Sequence, residues 1–313
     1  MEALNQLKKF LQRTVSILTM VLLALGLSSC QASAGQSEAD TTDSGAALTI
    51  AVGIVPEASF VEAVAGDLAT VVTLIPPGYS PANYQPTAQE MQALSDAVVY
   101  FTLQMPTEQA NILPKVSDFN DDIEIVDLRA AVANVYPLLN TDGEEITSDE
   151  SDSVDPHLWL SPKRAIVMVQ TIADKLSAID EPNADTYQAN AADYIAKLEA
   201  LDTQIRQTLS SVDNKTFLIY HAAYGYYAHD YGLNMVAIEI EGKQATAEEM
   251  QSVIDYAKQN GIKTVFYQEE FDSTQAETIA EEIGGAVQTV APLSADYIQG
   301  LEDFTDAFAQ FEE

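Results

Sequence analysis

The stretch Asn183–Ser211, NADTYQANAADYIAKLEALDTQIRQTLSS, decides the fold. It holds neither Gly nor Pro, and Tyr187, Ala191, Tyr194, Ile195, Leu198, Leu201, Ile205 and Leu209 recur at spacings of three and four. That is the period of one amphipathic helix, about 43 Å long at 1.5 Å per residue. On both sides of it short apolar runs alternate with helical periods. Upstream, strands are read at Leu48–Val55, Val71–Ile75, Ala97–Thr102 and Glu124–Leu128. Helices are read at Ala58–Gly66 and Thr87–Ser95, the second opened by a Thr87/Glu90 capping box. Downstream, strands at Lys215–Tyr220, Met235–Ile240, Lys263–Gln268 and Ala286–Val290 alternate with helices at Ala222–Tyr231, Ala245–Gln259, Ser273–Ile283 and Tyr297–Gln310. Such alternation predicts parallel sheets. The expectation is an α/β protein of two lobes, each a parallel sheet flanked by helices, joined by one long helix. The lobes are placed at 47–182 and 212–313, the linking helix at 183–211. Ligands of such sheets bind beyond the C-terminal strand ends.

The whole chain has 313 residues, 47% of them hydrophobic and 20% charged, enough apolar material for a folded body of that size. Asp and Glu number 48 against 14 Lys and Arg, a formal charge of -34. A surface that negative repels phosphate backbones, so nucleic acid is excluded as a partner, and it attracts cations. Cys30 is the single cysteine, which excludes an intramolecular disulfide and a cysteine-based zinc cluster. Lys8, Lys9 and Arg13 precede an apolar run, Thr14–Leu27, too short for a membrane span of about 20 residues. The run closes in Leu27-Ser28-Ser29-Cys30, which resembles a bacterial lipobox. Residues 1–29 are expected to be a lipoprotein signal peptide. Cys30 would carry the lipid that holds the protein on the extracytoplasmic face of the cell membrane, with 30–46 as a flexible tether. An ordinary signal peptide followed by a coincidental cysteine is the alternative.

Three histidines are available for chemistry: His157, His221 and His229. His157 lies in Asp155-Pro156-His157-Leu158-Trp159, before a helix that Ser161-Pro162 opens as N-cap and first residue. His221 directly follows the strand KTFLIY and is read as the start of a helix. A helix N-terminus disfavours imidazolium and keeps the ring available as a metal ligand; a structural hydrogen-bonding role is the alternative for each. His229, beside Asp230 inside a helix, is read as a surface residue. The acidic stretch 137–156, with GEEITSDESDSVD within it, is read as a solvated loop that supplies no ligand.

Several segments, in this order, resemble the zinc and manganese substrate-binding lipoproteins of bacterial ABC transporters. They are PPGYSPANYQPTAQEMQALSDA (76–97), DPHLWLSP (155–162), YHAAYGYYAHDYGL (220–233), VFYQEEFDSTQAETIAEEIG (265–284) and VAPLSADY (290–297). The resemblance runs from about residue 48 to 311. It implies a metal cleft between the lobes, capture of a divalent transition metal, zinc over manganese, and delivery to a permease and its ATPase. It implies a monomer, no organic cofactor and no enzymatic activity.

The departures from the family pattern are specific. The family's Ser-Pro-His-x-Tyr-Glu-Pro reads Ser80-Pro81-Ala82-Asn83-Tyr84-Gln85-Pro86 here, so Ala82 stands in a ligand's place. An acid or histidine near the Asp-Pro-Leu position reads Ala291-Pro292-Leu293, so Ala291 is taken as a second lost ligand. His157 and His221 match the two middle ligands. Zinc normally takes at least three protein ligands. Glu270, then Glu269, are the candidates for compensation, two solvated loop glutamates being the alternative reading. Asn83, Gln85 and Asp155 are candidates for contacts around the ligands. The other function that fits is a receptor or adhesin of the same fold that has lost or changed its metal site. A hydrolytic zinc enzyme is disfavoured, since no recognisable general base or nucleophile motif accompanies the histidines.

Overall fold

Residues 47–146, 154–239 and 243–311 are described by a computed structural model. The expected signal peptide, Cys30 and the expected tether lie outside them. Strand β1 (Leu48–Val52) stops three residues before the expected end, and helix α1 (Val55–Ala65) starts three residues early. The reason is local. Pro56 suits the first helical turn, and the Glu57 carboxylate accepts the N–H groups of Gly53 and Ile54, both at 3.0 Å, which ends the strand. The chain continues through β2 (Ala69–Thr73), α2 (Ala88–Gln92), β3 (Val99–Thr102), α3 (Val116–Phe119), β4 (Glu124–Asp127) and α4 (Leu128–Ala133). Thr87 and Glu90 cap α2 reciprocally, as the sequence predicts. Next come a short hairpin, β5 (Leu138–Leu139) with β6 (Glu145–Ile146), and the long helices α5 (Pro162–Ile179) and α6 (Ala184–Ser210). The second half runs β7 (Thr216–Ile219), α7 (Gly225–Tyr231), β8 (Asn234–Ala237), α8 (Ala247–Asn260), β9 (Thr264–Gln268), α9 (Thr274–Ile283), β10 (Ala286–Val290) and α10 (Tyr297–Phe311).

Two all-parallel four-stranded sheets result, in the orders β2-β1-β3-β4 and β10-β9-β7-β8. Counted from its own first strand, the second sheet repeats the first: both place strand one beside strand three, with strand two outside one and strand four outside the other. Each therefore has a switch point, between β1 and β3 and between β7 and β9, where the chain leaves in opposite directions and a crevice opens past the strand ends.

The crevice of the first sheet is closed by two wholly buried carboxyls, Glu57 and Glu108. They meet over Gly53, where a Cβ would lie 2.5 Å from Glu108 Oε1 and 2.9 Å from Glu57 Oε2. The Tyr100 hydroxyl and the Met105 N–H donate to Glu108 at 2.6 and 2.7 Å. Burial pushes both carboxyls above the usual range, Glu57 further because Glu108 is beside it, so the pair holds a proton to higher pH than free glutamates do.

The long helix is a brace, and it is not the only one. It buries Tyr187, Leu198, Leu201, Ile205 and Leu209 in the main core, each worth roughly 1.5–3 kcal/mol. Helix α10 follows the last strand of the second sheet but returns to pack on α6. Its Tyr297 ring lies 4.9 Å from Phe60 of α1, and its hydroxyl donates to the Trp159 carbonyl at 2.6 Å. Phe304 stacks on Tyr224 at 4.0 Å. One core thus spans residues of both halves, while a second, smaller one lies around β9, α8 and α9.

Residues 138–146, within the acidic stretch read as a solvated loop, form a hairpin. Asn140 Oδ1 accepts the N–H groups of Asp142 and Glu144, and Gly143 takes φ 82°, which together turn the β5–β6 hairpin. Residues 147–153 lie outside the described chain. Among the described residues no helix is long and apolar enough to cross a membrane.

Candidate metal-binding site

The crevice of the second sheet lies between β7 and β9. His221 stands two residues past the end of β7, and Glu270 two residues past the end of β9. The buried Gln268 side chain joins these strand ends: its Oε1 accepts the His221 N–H at 3.2 Å and its Nε2 donates to the His221 carbonyl at 2.7 Å. His221 does not begin a helix. Helix α7 starts at Gly225, four residues later, so its N-terminus is not what conditions the ring. Instead Glu239, just past the end of β8, accepts from His221 Nδ1 at 3.0 Å, and Phe271 stacks on the imidazole at 4.8 Å.

His157 approaches from the other side. Asp155 Oδ1 accepts the His157 backbone N–H at 3.0 Å and faces its Nδ1 at 2.8 Å. Asp155 is itself buried and pressed against Gly225, where a Cβ would come within 2.4 Å of its second oxygen. Trp159 flanks the ring at 5.2 Å, its indole N–H donating to the Pro292 carbonyl at 2.8 Å. Ser161 does occupy the N-cap position of α5, but its hydroxyl leaves the cap and donates to Asp230 of α7 at 2.6 Å. Asp230 also accepts from Arg164 at 3.2 Å and Lys163 at 2.6 Å. This carboxylate ties the segment after His157 to the segment after His221.

The two imidazoles meet. Their ring centroids are 5.1 Å apart and their Nε2 atoms 3.3 Å. A carboxylate at each Nδ1 favours the tautomer protonated there, which leaves the two Nε2 atoms facing each other. Two ligands at 2.0–2.1 Å with a tetrahedral angle between them are separated by about 3.3–3.4 Å. Burial pushes His157 below the usual histidine range, against the opposing pull of Asp155.

Around the pair lies a cavity of about 240 Å³, lined among others by Ala82, Asn83, Trp159, Glu270 and Phe271. Burial raises the Glu270 carboxyl, and its Oε2 is buried without a hydrogen-bond partner among the described residues. Glu269 is exposed and does not line the cavity. Ala82 lines the cavity. Ala291 does not: it is exposed beside a separate depression, and Pro292 and Leu293 reach the cavity instead. Gln85 is exposed and outside it. His229 lies outward on α7, 3.0 Å from Asp230 and 3.4 Å from Glu145. Among the described residues, no three His, Cys, Asp or Glu side chains converge as a ready ligand set.

Glu239 is the site residue that sequence reasoning missed. It lies within Met235–Ile240, which the sequence reads as one strand. The strand stops at Ala237, and the Glu239 side chain turns inward.

Two repeated parallel sheets with facing side chains at the switch point of one of them define a two-lobed α/β binding protein. The chain belongs to the family described as zinc-uptake complex component A, periplasmic, whose model matches residues 50–311. It is 34% identical over 292 residues to the zinc-binding lipoprotein AdcA of Streptococcus pneumoniae, covering 90% of this chain and 56% of that protein. The chain therefore spans about half the length of the AdcA relatives. It is 27% identical over 275 residues to the high-affinity zinc uptake system protein ZnuA of Bacillus subtilis, covering 85% of this chain and 84% of that one. A crystal structure of ZnuA superposes with a TM-score of 0.80 at 33% identity, covering 85% of this chain and 100% of that chain. The Zn(II)-bound ZnuA-like domain of Streptococcus pneumoniae AdcA superposes with a TM-score of 0.67 at 31% identity, covering 85% and 99%.

Proposed function

We propose that this protein is an extracytoplasmic zinc receptor, anchored through Cys30, that captures the ion between its lobes and passes it to an ABC permease driven by its ATPase. It carries out no reaction on its cargo. The observation that carries this reading is the histidine pair: two Nε2 atoms 3.3 Å apart, each imidazole oriented by its own carboxylate. Two bare lone pairs at that distance repel, and a shared cation relieves the repulsion. A receptor that had abandoned metal would have no use for Asp155 and Glu239 at the two Nδ1 atoms. Glu270 is the third ligand in this reading, because its buried oxygen has no other partner. Nitrogen donors favour zinc over manganese.

The test is calorimetric titration of metal-stripped, untagged protein with zinc and with manganese. One equivalent of zinc is expected, bound more tightly than manganese. His157→Ala and His221→Ala should each weaken zinc by orders of magnitude, and His229→Ala should leave it within a few-fold. Absence of zinc binding by the parent protein refutes the proposal.

A further inference from the structure

We propose that Tyr226, through its hydroxyl, is the positioning residue for the His157 imidazole in metal capture: it holds the backbone of Asp155, and with it the carboxylate that orients the ring, against helix α7. The inference rests on the metal-receptor reading above and deepens it. Asp155 meets His157 through Oδ1, which accepts the backbone N–H at 3.0 Å and faces Nδ1 at 2.8 Å. Both contacts are local, so they fix the ring relative to Asp155 and not relative to His221. The second oxygen, Oδ2, is buried without a hydrogen-bond partner among the described residues and anchors nothing. Where the Asp155–His157 unit sits is therefore decided by the backbone of Asp155.

That backbone is gripped at both of its polar groups. The Asp155 N–H donates to the Leu139 carbonyl at 2.8 Å. The Asp155 carbonyl accepts from the Tyr226 hydroxyl at 3.0 Å, and the same hydroxyl accepts the Leu139 N–H at 3.1 Å. A hydroxyl carries one hydrogen and two lone pairs. With the Leu139 N–H on a lone pair, the hydrogen points to Asp155, and the three residues close a ring of hydrogen bonds. Tyr226 is wholly buried, and burial raises its hydroxyl above the usual tyrosine range, so it stays a donor. Its aromatic ring is held too, with the Arg164 guanidinium 4.4 Å from the centroid. Gly225, on the same helical turn, leaves room for the Asp155 side chain, since a Cβ there would lie 2.4 Å from Oδ2. Helix α7 is the helix that follows His221. The hydroxyl thus indexes the segment before His157 to the segment after His221, and the result of that indexing is the 3.3 Å between the two Nε2 atoms. Asp230 ties the stretches that come after the two histidines; Tyr226 acts ahead of His157, on the group that orients it.

The experiment uses the full chain, untagged and stripped of metal, and reads zinc affinity by chelator competition for the parent, Tyr226→Phe, Asp155→Ala and the double variant. Phenylalanine keeps the ring under Arg164 and removes only the hydroxyl. Tyr226→Phe should weaken zinc about tenfold or more in the otherwise native chain, and less than about twofold on the Asp155→Ala background, where no carboxylate is left to place. Nitrogen NMR of the metal-free protein should show His157 protonated at Nδ1 in the parent and a mixture of tautomers in Tyr226→Phe. If Tyr226→Phe fails to fold, Gly225→Ala displaces the same carboxylate and carries the same two affinity predictions. Parent-like zinc affinity of Tyr226→Phe overturns the proposal. An equal loss on both backgrounds also overturns it, because it marks a general structural role. Either result leaves the zinc receptor intact. No zinc bound by the parent protein overturns the receptor and this inference together.

Discussion

Asp230→Asn tests whether one carboxylate holds the two histidine-bearing segments together. Asp230 side-chain oxygens accept from Ser161 at 2.6 Å, Lys163 at 2.6 Å and Arg164 at 3.2 Å, with His229 Nδ1 at 3.0 Å. Its side chain is 1% exposed and that of Arg164 0%. Asn keeps the volume and removes the charge. Lys163, 28% exposed, can turn to water. Arg164 cannot: it keeps the Pro137 carbonyl and the faces of Tyr226 and Tyr136, 4.4 and 5.5 Å away. Removing one partner of a buried ion pair costs about 3–5 kcal/mol, because the remaining charge is left uncompensated. Against a total stability of about 5–15 kcal/mol that is a large share. The assay is urea unfolding followed through Trp159, the only tryptophan, buried beside the site. With a slope of about 2–3 kcal/mol/M, the midpoint should fall by about 1–2 M. The pH dependence has a definite sign. Burial would raise the Asp230 carboxyl, but Arg164 and hydrogen bonds from Lys163, Ser161 and His229 hold it below the usual range. Its contribution is therefore present above the unfolded value of about 3.9 and is lost as pH falls through the lower folded value, so wild type and variant should converge in acid. Replacing the pair together, Asp230→Leu with Arg164→Met, should recover much of the loss, since neither charge is then buried alone. A midpoint shift under about 0.3 M for Asp230→Asn, or a double variant as unstable as the single, would refute the reasoning.

Asp155→Asn and Glu239→Gln should each weaken zinc about 10–100-fold, since each carboxylate sets the tautomer of a ligating ring, and chelator competition reads this directly. Glu57→Gln should flatten the fall of stability with pH. The native pair keeps a proton that an unfolded glutamate releases near pH 4.3, so this pair's contribution is greatest below that pH and declines by about 1.4 kcal/mol per unit for each retained proton until the raised folded value is passed. Parallel pH profiles of urea midpoints for the two proteins would sink that account. Cys30→Ala should release the protein from membranes or leave it uncleaved, which fractionation and mass measurement distinguish; a processed form still on the membrane contradicts lipid anchoring.

The parts of the fold that were legible were those where one signal dominates. Residues 183–211 carry an unbroken helical period, and the strand–helix alternation around them dictates parallel sheets. His157 and His221 stood out because they follow a turn and a strand end, where such sheets place ligands. What stayed hidden depended on short-range competition or on register. The start of α1 was concealed because Ile54 and Val55 extend an apolar run, while Glu57 capping decides against the strand. The hairpin was masked by charge, its determinants being one Asn140 side chain and the freedom of Gly143. Glu239 could not be told from a solvent-facing strand residue until the strand was seen to end at Ala237. Ala291 and Glu269 each adjoin a residue that does line the cavity, and both lie just past a strand end, where the chain turns and sequence spacing no longer tells which side chain faces in.

The return of α10 onto α6 has a mechanical consequence. A frame strutted at two places does not work like jaws on a hinge, and loading it brings no large surfaces together. Capture should then show a heat-capacity change near zero in calorimetry at several temperatures, because that quantity tracks newly buried apolar area. Small-angle scattering should return the same radius of gyration with and without zinc. The affinity of such a frame is set when the chain folds, through geometry already in place, so little ordering entropy is lost when the ion arrives. In the proposed receptor, unloading would fall to the segments that edge the cavity, residues 80–83 and 268–271, whose displacement would open the site without unbracing the rest.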